Sequence, residues 1–382
     1  MSKEAIPLSS PDVAEADVRA VVDVLHTTRL SLGPRIPAFE SAVAGLAGRR
    51  HGIAVNSGTS GLHLCVRALD IQEGDEVITT PFSFVATANC LLFERAKPVF
   101  VDIDLASYNM DPSAIEAAIT PRTKAILPVE VFGNVAHFDQ YERIARKHGL
   151  KMIEDCCEAL GGYLGDRPAG SFGDCGVFGF YPNKQITTGE GGIVVTDDDH
   201  IADVCRSLRN QGRDGEKWLV HHRLGYNYRM SEITAALGEA QLRRLGDILQ
   251  KRRQVAAIYN EVLADIDEIH LPPMADPKSA SWFVYAVRLA DRFRAADRDA
   301  VMAHLIKCGI GCNKYFMPIH LQPYFIEMMG ASKLSFPRAE WAADRTIALP
   351  FFTNLARKQA LEVRKALKEG IREVRPPSVA KP

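Results

Sequence analysis

The sequence predicts an α/β fold: a mostly parallel, mixed sheet sandwiched by helices, followed by a smaller C-terminal α+β domain. Two observations predict it. Short apolar runs alternate with amphipathic stretches through the first two-thirds of the 382 residues, the pattern of strands joined by crossover helices. The sequence then changes character at IDEIHLPPMADPKSAS, a Pro-rich connector that punctuates the chain. The division places residues 1–249 in an N-terminal segment plus a large domain, and residues 250–382 in a small one.

The strand candidates, in order, are Gly52–Val55, Glu76–Thr79, Pro98–Val101, Ala125–Val129, Lys151–Ile153, Gly176–Phe180 and Gly192–Thr196. Each is a short apolar run of strand length bounded by polar or small residues. Helix candidates between them are Leu62–Leu69, Val85–Phe93, Pro112–Ile119 and Asp139–His148. A long helical segment, roughly Ser231–Leu263, carries apolar residues at helical spacing. Beyond the connector, Trp282–Leu289 reads as a strand, and Arg298–Lys307 and Gln359–Lys368 read as helices. The final RPPSVAKP reads as a disordered tail.

Composition excludes several classes. With 46 basic and 47 acidic residues the formal net charge is −1, so nothing suggests a nucleic-acid or acidic-membrane partner. No run is long and apolar enough to span a bilayer. The first residues are too polar and acidic for a signal peptide. The eight cysteines sit mostly in apolar runs; without an export signal they read as reduced thiols of a cytoplasmic protein. His304, Cys308 and Cys312 recur every fourth residue, but Gly309 and Gly311 interrupt a helix there and no fourth ligand is visible. No metal site is expected.

Three stretches carry chemistry. In NSGTSGLHLCVRAL (56–69) a strand gives way to a small-residue turn and a helix; free backbone N–H groups at such a helix start cradle a phosphate. In LKMIEDCCEALGG (150–162) an apolar strand ends in Glu154 and Asp155, where a carboxylate can hold a protonated ring nitrogen. In VFGFYPNKQITTGEGGIVVT (177–196) Lys184 lies in a turn between two apolar strands, with glycines at 189, 191 and 192. This order is not that of a Walker A loop. Lysine is rarely buried without a partner, and burial favours the neutral, nucleophilic amine. Read singly, each stretch also fits a plain structural role: a helix cap, a surface carboxylate, a hairpin lysine. Read together, a phosphate cradle, a strand-end Asp and a lysine are the parts of a pyridoxal phosphate site.

With GDEVITTPFSFVATAN (74–89), AKPVFVDID (96–104), AITPRTKAILPV (118–129), IEDCCEALGG (153–162), FYPNKQITTGEGG (180–192) and LGYNYRMSEITAALG (224–238), the chain resembles the DegT/StrS-type sugar aminotransferases of aspartate-aminotransferase fold type I. The resemblance runs from about residue 8 to 370. It implies that Lys184 carries pyridoxal 5'-phosphate and shuttles a proton once the cofactor is in its pyridoxamine form. It implies that Asp155 pairs with the ring nitrogen, that Phe84 stacks on the ring, and that Gly58, Thr59 and Ser60 bind the phosphate. Asn227 would reach the phosphate in the neighbouring subunit's site, which makes the active form a homodimer with shared sites. Arg229 would take the donor's carboxylate. His320 and the turn holding Ser31 and Gly33 would lie near the sugar.

Two positions depart from the family. Gly179 stands where many members have a phosphate-binding Ser, and Glu158 stands where many have Gln near the ring. The implied reaction moves an amino group from L-glutamate to a nucleotide-linked keto-6-deoxy sugar, with a 4-keto group favoured over a 3-keto group. The family's sugar 3-dehydrases replace the lysine by His, so Lys184 argues against that activity. The retained Lys184 and Asp155 argue against a non-enzymatic sensor.

Overall fold

The computed structural model describes residues 5–214, 219–272, 280–329 and 334–374. Seven strands form the main sheet: β1 (His51–Val55), β2 (Glu76–Thr79), β3 (Lys97–Phe100), β4 (Thr123–Leu127), β5 (Lys151–Asp155), β6 (Cys175–Gly179) and β7 (Gly192–Thr196). Their spatial order is β1-β7-β6-β5-β4-β2-β3. The pairs from β6 across to β3 are parallel, and only β7 runs against the rest. The predicted mixed sheet is therefore present, with strand ends within a few residues of the expected ones.

Both faces of the sheet are covered. Ala54, Ile78, Ile126, Met152 and Phe178 pack into one core, while their chain neighbours Ile53, Val77, Ala125, Ile153 and Val177 pack into another on the opposite face. This is the period-2 alternation of a pleated strand with both sides buried. Helices Gly58–Ala68 and Asp199–Arg209 cover one face. Ser57 and Asp198 cap them by accepting N–H bonds from Ser60 and Ile201, satisfying donors that the helix itself cannot.

A second sheet consists of β8 (Ile269–His270), β9 (Tyr285–Leu289) and β10 (Thr346–Leu349), all antiparallel. Helices Ala295–Lys307 and Arg357–Glu373 pack on it, with a core from Val255 to Ile371. Ile6 belongs to that second core and bridges Gly309 and Gly311 by backbone hydrogen bonds. The N-terminal segment thus packs partly on the small lobe. The 249/250 division falls inside helix Leu245–Leu263.

Two expectations are corrected. The Ser231–Leu263 segment is two helices, Glu232–Arg243 and Leu245–Leu263. The break is at Arg244, whose side chain binds the Asp12 carbonyl and the Asp12 and Asp17 carboxylates. The strand expected from Trp282 begins only at Tyr285, because the Trp282 and Phe283 carbonyls accept from Arg252 instead. As Gly309 and Gly311 predict, His304, Cys308 and Cys312 do not share one continuous helix; the helix holding His304 ends at Lys307. His304 bonds Glu373, and Cys312 donates to the Met302 carbonyl. All eight cysteines are free thiols. Among the described residues no helix is long and apolar enough to cross a membrane. The RPPSVAKP tail lies outside the described residues.

Candidate active site

The strands parallel to one another end on the same edge of the sheet, and their successors wall a pocket of about 530 Å³. Its lining includes Gly58 and Thr59 after β1, Phe84 and Thr87 after β2, Asp155 at the end of β5 with Cys157 and Glu158 just beyond, and Lys184 after β6. Ligands of open α/β sheets bind at this edge because the chain turns away there and leaves a crevice. Gly58 and Lys184, 126 positions apart in sequence, are thereby brought to one cavity.

The β1 turn supplies anion-binding donors. The Ser57 hydroxyl accepts the Ser60 N–H at 3.1 Å, and the Ser60 hydroxyl donates to Asn56 at 2.7 Å. Ser60 therefore shapes the turn from behind. The first N–H groups of the helix, at Gly58 and Thr59, have no intrahelical acceptor and form the positive end of the helix dipole. Strand β7 presses closely on this turn. A Cβ on Gly192 would lie 2.7 Å from the Ser57 carbonyl, so this glycine is required by backbone approach, while the positive φ of 81° is taken up at Gly189.

Gly179 has a specific neighbour. A Cβ there would lie 3.3 Å from Cys157 Sγ, and a Cβ on Gly58 would lie 2.9 Å from the same sulfur. The Cys157 thiol thus occupies the space between the two glycines, where a larger residue at 179 would need room. Burial pushes its thiol well up, so it stays protonated beside the cradle.

Asp155 is buried at the end of β5. Thr87 donates to its Oδ2 at 2.9 Å, and Ser83 and Thr87 hydroxyls lie 3.0 Å apart. The Cys157 N–H reaches Oδ1 at 3.3 Å. Burial raises the carboxyl pKa, while Thr87, Cys157 and the Lys184 charge pull against it. An incoming cation would relieve that burial cost.

Lys184 lies in the 180–191 connection between β6 and β7. Its Nζ is 3.4 Å from Glu158 Oε1 and 3.9 Å from the centroid of the Phe283 ring. Glu158 is buried, and its other oxygen accepts the Phe132 N–H at 2.9 Å. Burial raises the Glu158 pKa and Lys184 counters it. The amine is therefore held in the pocket by one carboxylate and one aromatic face.

A second carboxyl pair lies behind Asp155. Glu130 and Glu154 are fully buried, and their carboxyl oxygens lie within 4.8 Å of each other. Glu154 accepts the Gly170 and Phe172 N–H groups at 2.6 and 2.8 Å, whereas neither Glu130 oxygen has a hydrogen-bond partner. Two such neighbours do not both ionise. Burial and the Glu154 charge hold Glu130 well above the ordinary range, making it the proton holder. The native chain then keeps a proton that the unfolded chain releases above the ordinary carboxylate range, so stability falls as pH rises through that window. Glu130→Gln should flatten the decline. Melting temperatures at pH 5 and pH 8 test this; parallel declines in wild type and variant would place the source elsewhere.

Phe84 lines this pocket but is 62% exposed. The remaining predicted residues lie apart from it within one chain. Asn227 is exposed; its backbone pairs with Asn210 and its carbonyl accepts from Asn56 at 3.4 Å. Arg229 donates to Asn210 at 3.1 Å. The turn with Ser31 and Gly33 is pinned by Glu232, whose carboxylate accepts the Arg35 and Ile36 N–H groups. His320 is fully buried, 3.1 Å from Glu340 and packed edge-on to Phe336. The ring packs against the start of helix Pro337–Ala343 and does not line the pocket of its own chain.

Thr87, Cys157, Phe283 and Tyr315 line the pocket as well and were not singled out by sequence. Thr87 belongs to the PFSFVATAN stretch, four residues after Ser83, a spacing of two hydroxyls just past a strand that marks it in the sequence. Phe283 and Tyr315 come from the second lobe, and nothing local marks them.

A family model described as the DegT/DnrJ/EryC1/StrS aminotransferase family matches residues 11–368. The chain is 34% identical over 375 residues to the spore coat polysaccharide biosynthesis protein SpsC of Bacillus subtilis, covering 95% of this chain and 96% of that one. Among solved structures it is similar to Helicobacter pylori PseC, an aminotransferase involved in the biosynthesis of pseudoaminic acid. That match has a TM-score of 0.92, 30% identity, and coverage of 97% and 100%. The PLP form of the putative sugar aminotransferase Spr1654 from Streptococcus pneumoniae gives a TM-score of 0.90, 26% identity, and coverage of 97% and 100%.

Proposed function

Because the chain belongs to the DegT/DnrJ/EryC1/StrS aminotransferase family, we propose that it transfers an amino group from L-glutamate to a nucleotide-linked 4-keto-6-deoxy sugar. The protein is a pyridoxal-phosphate-dependent sugar aminotransferase. Lys184, Asp155 and the Gly58–Thr59 turn converge on one cavity, and that convergence supports this activity.

The residues fit the cofactor. The Gly58 and Thr59 N–H groups offer donors for a phosphate, and the glycine at 58 leaves the cradle open beside Cys157. Asp155 offers a buried carboxylate, already aligned by Thr87, for a protonated ring nitrogen. Phe84 offers a ring at the mouth of the cavity. Among the described residues Lys184 is the one lysine in the lining, and it is the residue that would hold the cofactor covalently. When bound, the cofactor supplies an electron sink for the carbanion next to the transferred nitrogen.

The chain's own residues divide the remaining work. The Lys184 amine, when free, takes and returns the proton on one face of the substrate carbon. Glu158, 3.4 Å away, receives the freed ammonium and keeps it within the pocket. The Asp155 carboxylate holds a proton on the ring nitrogen through a charge-assisted hydrogen bond. The second-lobe residues Phe283 and Tyr315 close the cavity opposite the sheet and exclude water.

The rim supports a shared site. Phe84 and Tyr181 are 62% and 53% exposed at the mouth, and Asn227 is exposed on the adjoining segment. We assign Asn227 to the cofactor phosphate of the partner subunit in a homodimer, with Ser31, Gly33 and Arg229 serving substrate there. Mixing inactive Lys184→Ala with inactive Asn227→Ala subunits should restore activity to one site per heterodimer. Proven subunit exchange without any recovery would count against this assignment.

The substrate is tested by half-reaction. The pyridoxamine-loaded protein is mixed with a panel of nucleotide-linked keto sugars, and return of the carbonyl-form absorbance is followed. Return with a 4-keto-6-deoxy sugar is expected. Return only with a 3-keto isomer would overturn the ring position, and no return with any member would overturn the sugar class.

A further inference from the structure

Helix Leu245–Leu263 passes from the core under the main sheet, which takes Leu245 and Ile248, to the core of the second lobe, which takes Val255 onward. Arg252 sits at that junction, only 3% exposed. Its Nη2 donates to the Lys184 carbonyl at 2.7 Å. Its Nη1 donates to the Trp282 and Phe283 carbonyls, each at 3.2 Å. Its Nε has no partner. Among the described residues no carboxylate forms an ion pair with it, and burial draws the guanidinium down to about 10.

A buried cation held by backbone carbonyls and the Phe351 ring 5.7 Å away, with no carboxylate paired to it among the described residues, is a costly arrangement, and a hydrophobic residue of similar volume would serve mere packing better. What only a guanidinium supplies here is a rigid fork that reaches several acceptors at once. The acceptors are informative. One is the backbone of Lys184; another is the backbone of Phe283, whose ring lies 3.9 Å from the Lys184 amine. The third, Trp282, is the neighbour of Phe283. The two halves of this amine–ring contact come from different lobes, and the same guanidinium holds both main chains.

We infer that Arg252 is a positioning residue for the aminotransferase reaction: its fork fixes the Lys184 backbone against the Trp282–Phe283 segment, so that the Lys184 side chain pivots from a set point beneath the Phe283 ring. The inference rests on Lys184 being the residue that holds the cofactor. The fork leaves the side chain of Lys184 free to move and restrains only its main chain. This is what a residue that must first hold and then release the cofactor needs. Displacement of such a group by about 1 Å costs on the order of 10²-fold in rate.

The test uses the full chain and two variants. Arg252→Lys keeps the charge but reaches one carbonyl at most, and Arg252→Met removes both charge and fork at similar volume. In the cofactor-loaded protein, the saturated rate of the L-glutamate half-reaction should fall on the order of 10²-fold in both variants. The half-saturating glutamate concentration should change little, because no glutamate contact is removed. In the cofactor-free protein, modification of the Lys184 amine by a small acylating reagent, followed by peptide mapping, should become several-fold faster, with exposed Lys124 as the unchanged control. Melting temperature and circular dichroism give the folded fraction, to which both rates are normalised. If Arg252→Met does not fold, Arg252→Lys decides alone.

The inference is overturned if normalised half-reaction rates and Lys184 reactivity match wild type, or if Arg252→Lys behaves as wild type and only Arg252→Met is slow. The latter outcome would assign the effect to charge and not to the fork. Failure of borohydride to trap cofactor on Lys184 in the wild-type protein would instead remove the premise. The Lys184 acylation rates would still report whether Arg252 holds that backbone.

Discussion

Lys184→Ala is expected to abolish transamination, with a loss of at least about 10⁴-fold, the upper range for a single positioned acid–base group. The residue is asked for more than proton transfer, since it would also hold the cofactor, so the loss should exceed that figure. The fold should survive. The Lys184 N–H bond to the Tyr181 carbonyl and the carbonyl bond from Arg252 are main-chain interactions that alanine retains. What disappears is the ammonium between Glu158 and Phe283. Glu158 then loses the cation that counters its burial and moves further toward its protonated form. Borohydride treatment of the wild-type protein, followed by peptide mapping, should place the cofactor on Lys184. A label on any other lysine would sink the assignment.

Asp155→Asn should be nearly as damaging for a different reason. The substitution keeps the shape and the Thr87 contact but removes the charge that would keep the ring nitrogen protonated. Loss of a charge-directed interaction of this kind costs about 10²–10³-fold in turnover, or roughly 3–4 kcal/mol. Stability should move the other way. In the cofactor-free protein the Asp155 pKa is raised by burial, so the native state holds a proton that the unfolded state gives up, and stability falls as pH rises past the ordinary Asp range. The neutral Asn removes that penalty. Cofactor-free Asp155→Asn should therefore melt no lower than wild type at pH 7, while its cofactor affinity and turnover both drop. Near-normal turnover in the variant would mean that another group protonates the ring.

The two substitutions separate what the site does from what the fold needs. One removes the nucleophile and leaves the main chain anchored by Arg252; the other removes a buried charge and leaves the packing intact. The Glu130–Glu154 pair is the opposite case. It lies behind Asp155, its backbone is tied to Asp155 through the Glu130 N–H, and its titration should register in stability alone.

Much of the sheet was legible because the signal is local. β2 and β7 have the ends expected from their apolar runs, and the helix after β1 begins at the small-residue turn with Ser57 as its cap. The parts that failed are those set by distant partners. The break at Arg244 depends on Asp12 and Asp17, more than 200 residues earlier. The late start of β9 depends on Arg252 drawing away the carbonyls of Trp282 and Phe283. In each, a side chain far along the chain competes for backbone groups that local pattern assigns to a helix or a strand.

The sequence by itself determined the chemistry available. It placed a lysine in a turn, a carboxylate at a strand end and a small-residue helix start, and its motifs identified the family that combines them. Only the tertiary structure decided their environment. Glu158 faces Lys184, Cys157 fills the gap between Gly58 and Gly179, His320 is turned into packing against Glu340 and Phe336, and Phe283 from the second lobe covers the amine. The physical reason is range. Strand and turn propensities act over a few residues, whereas burial, pKa and hydrogen-bond partners are properties of what folding brings alongside.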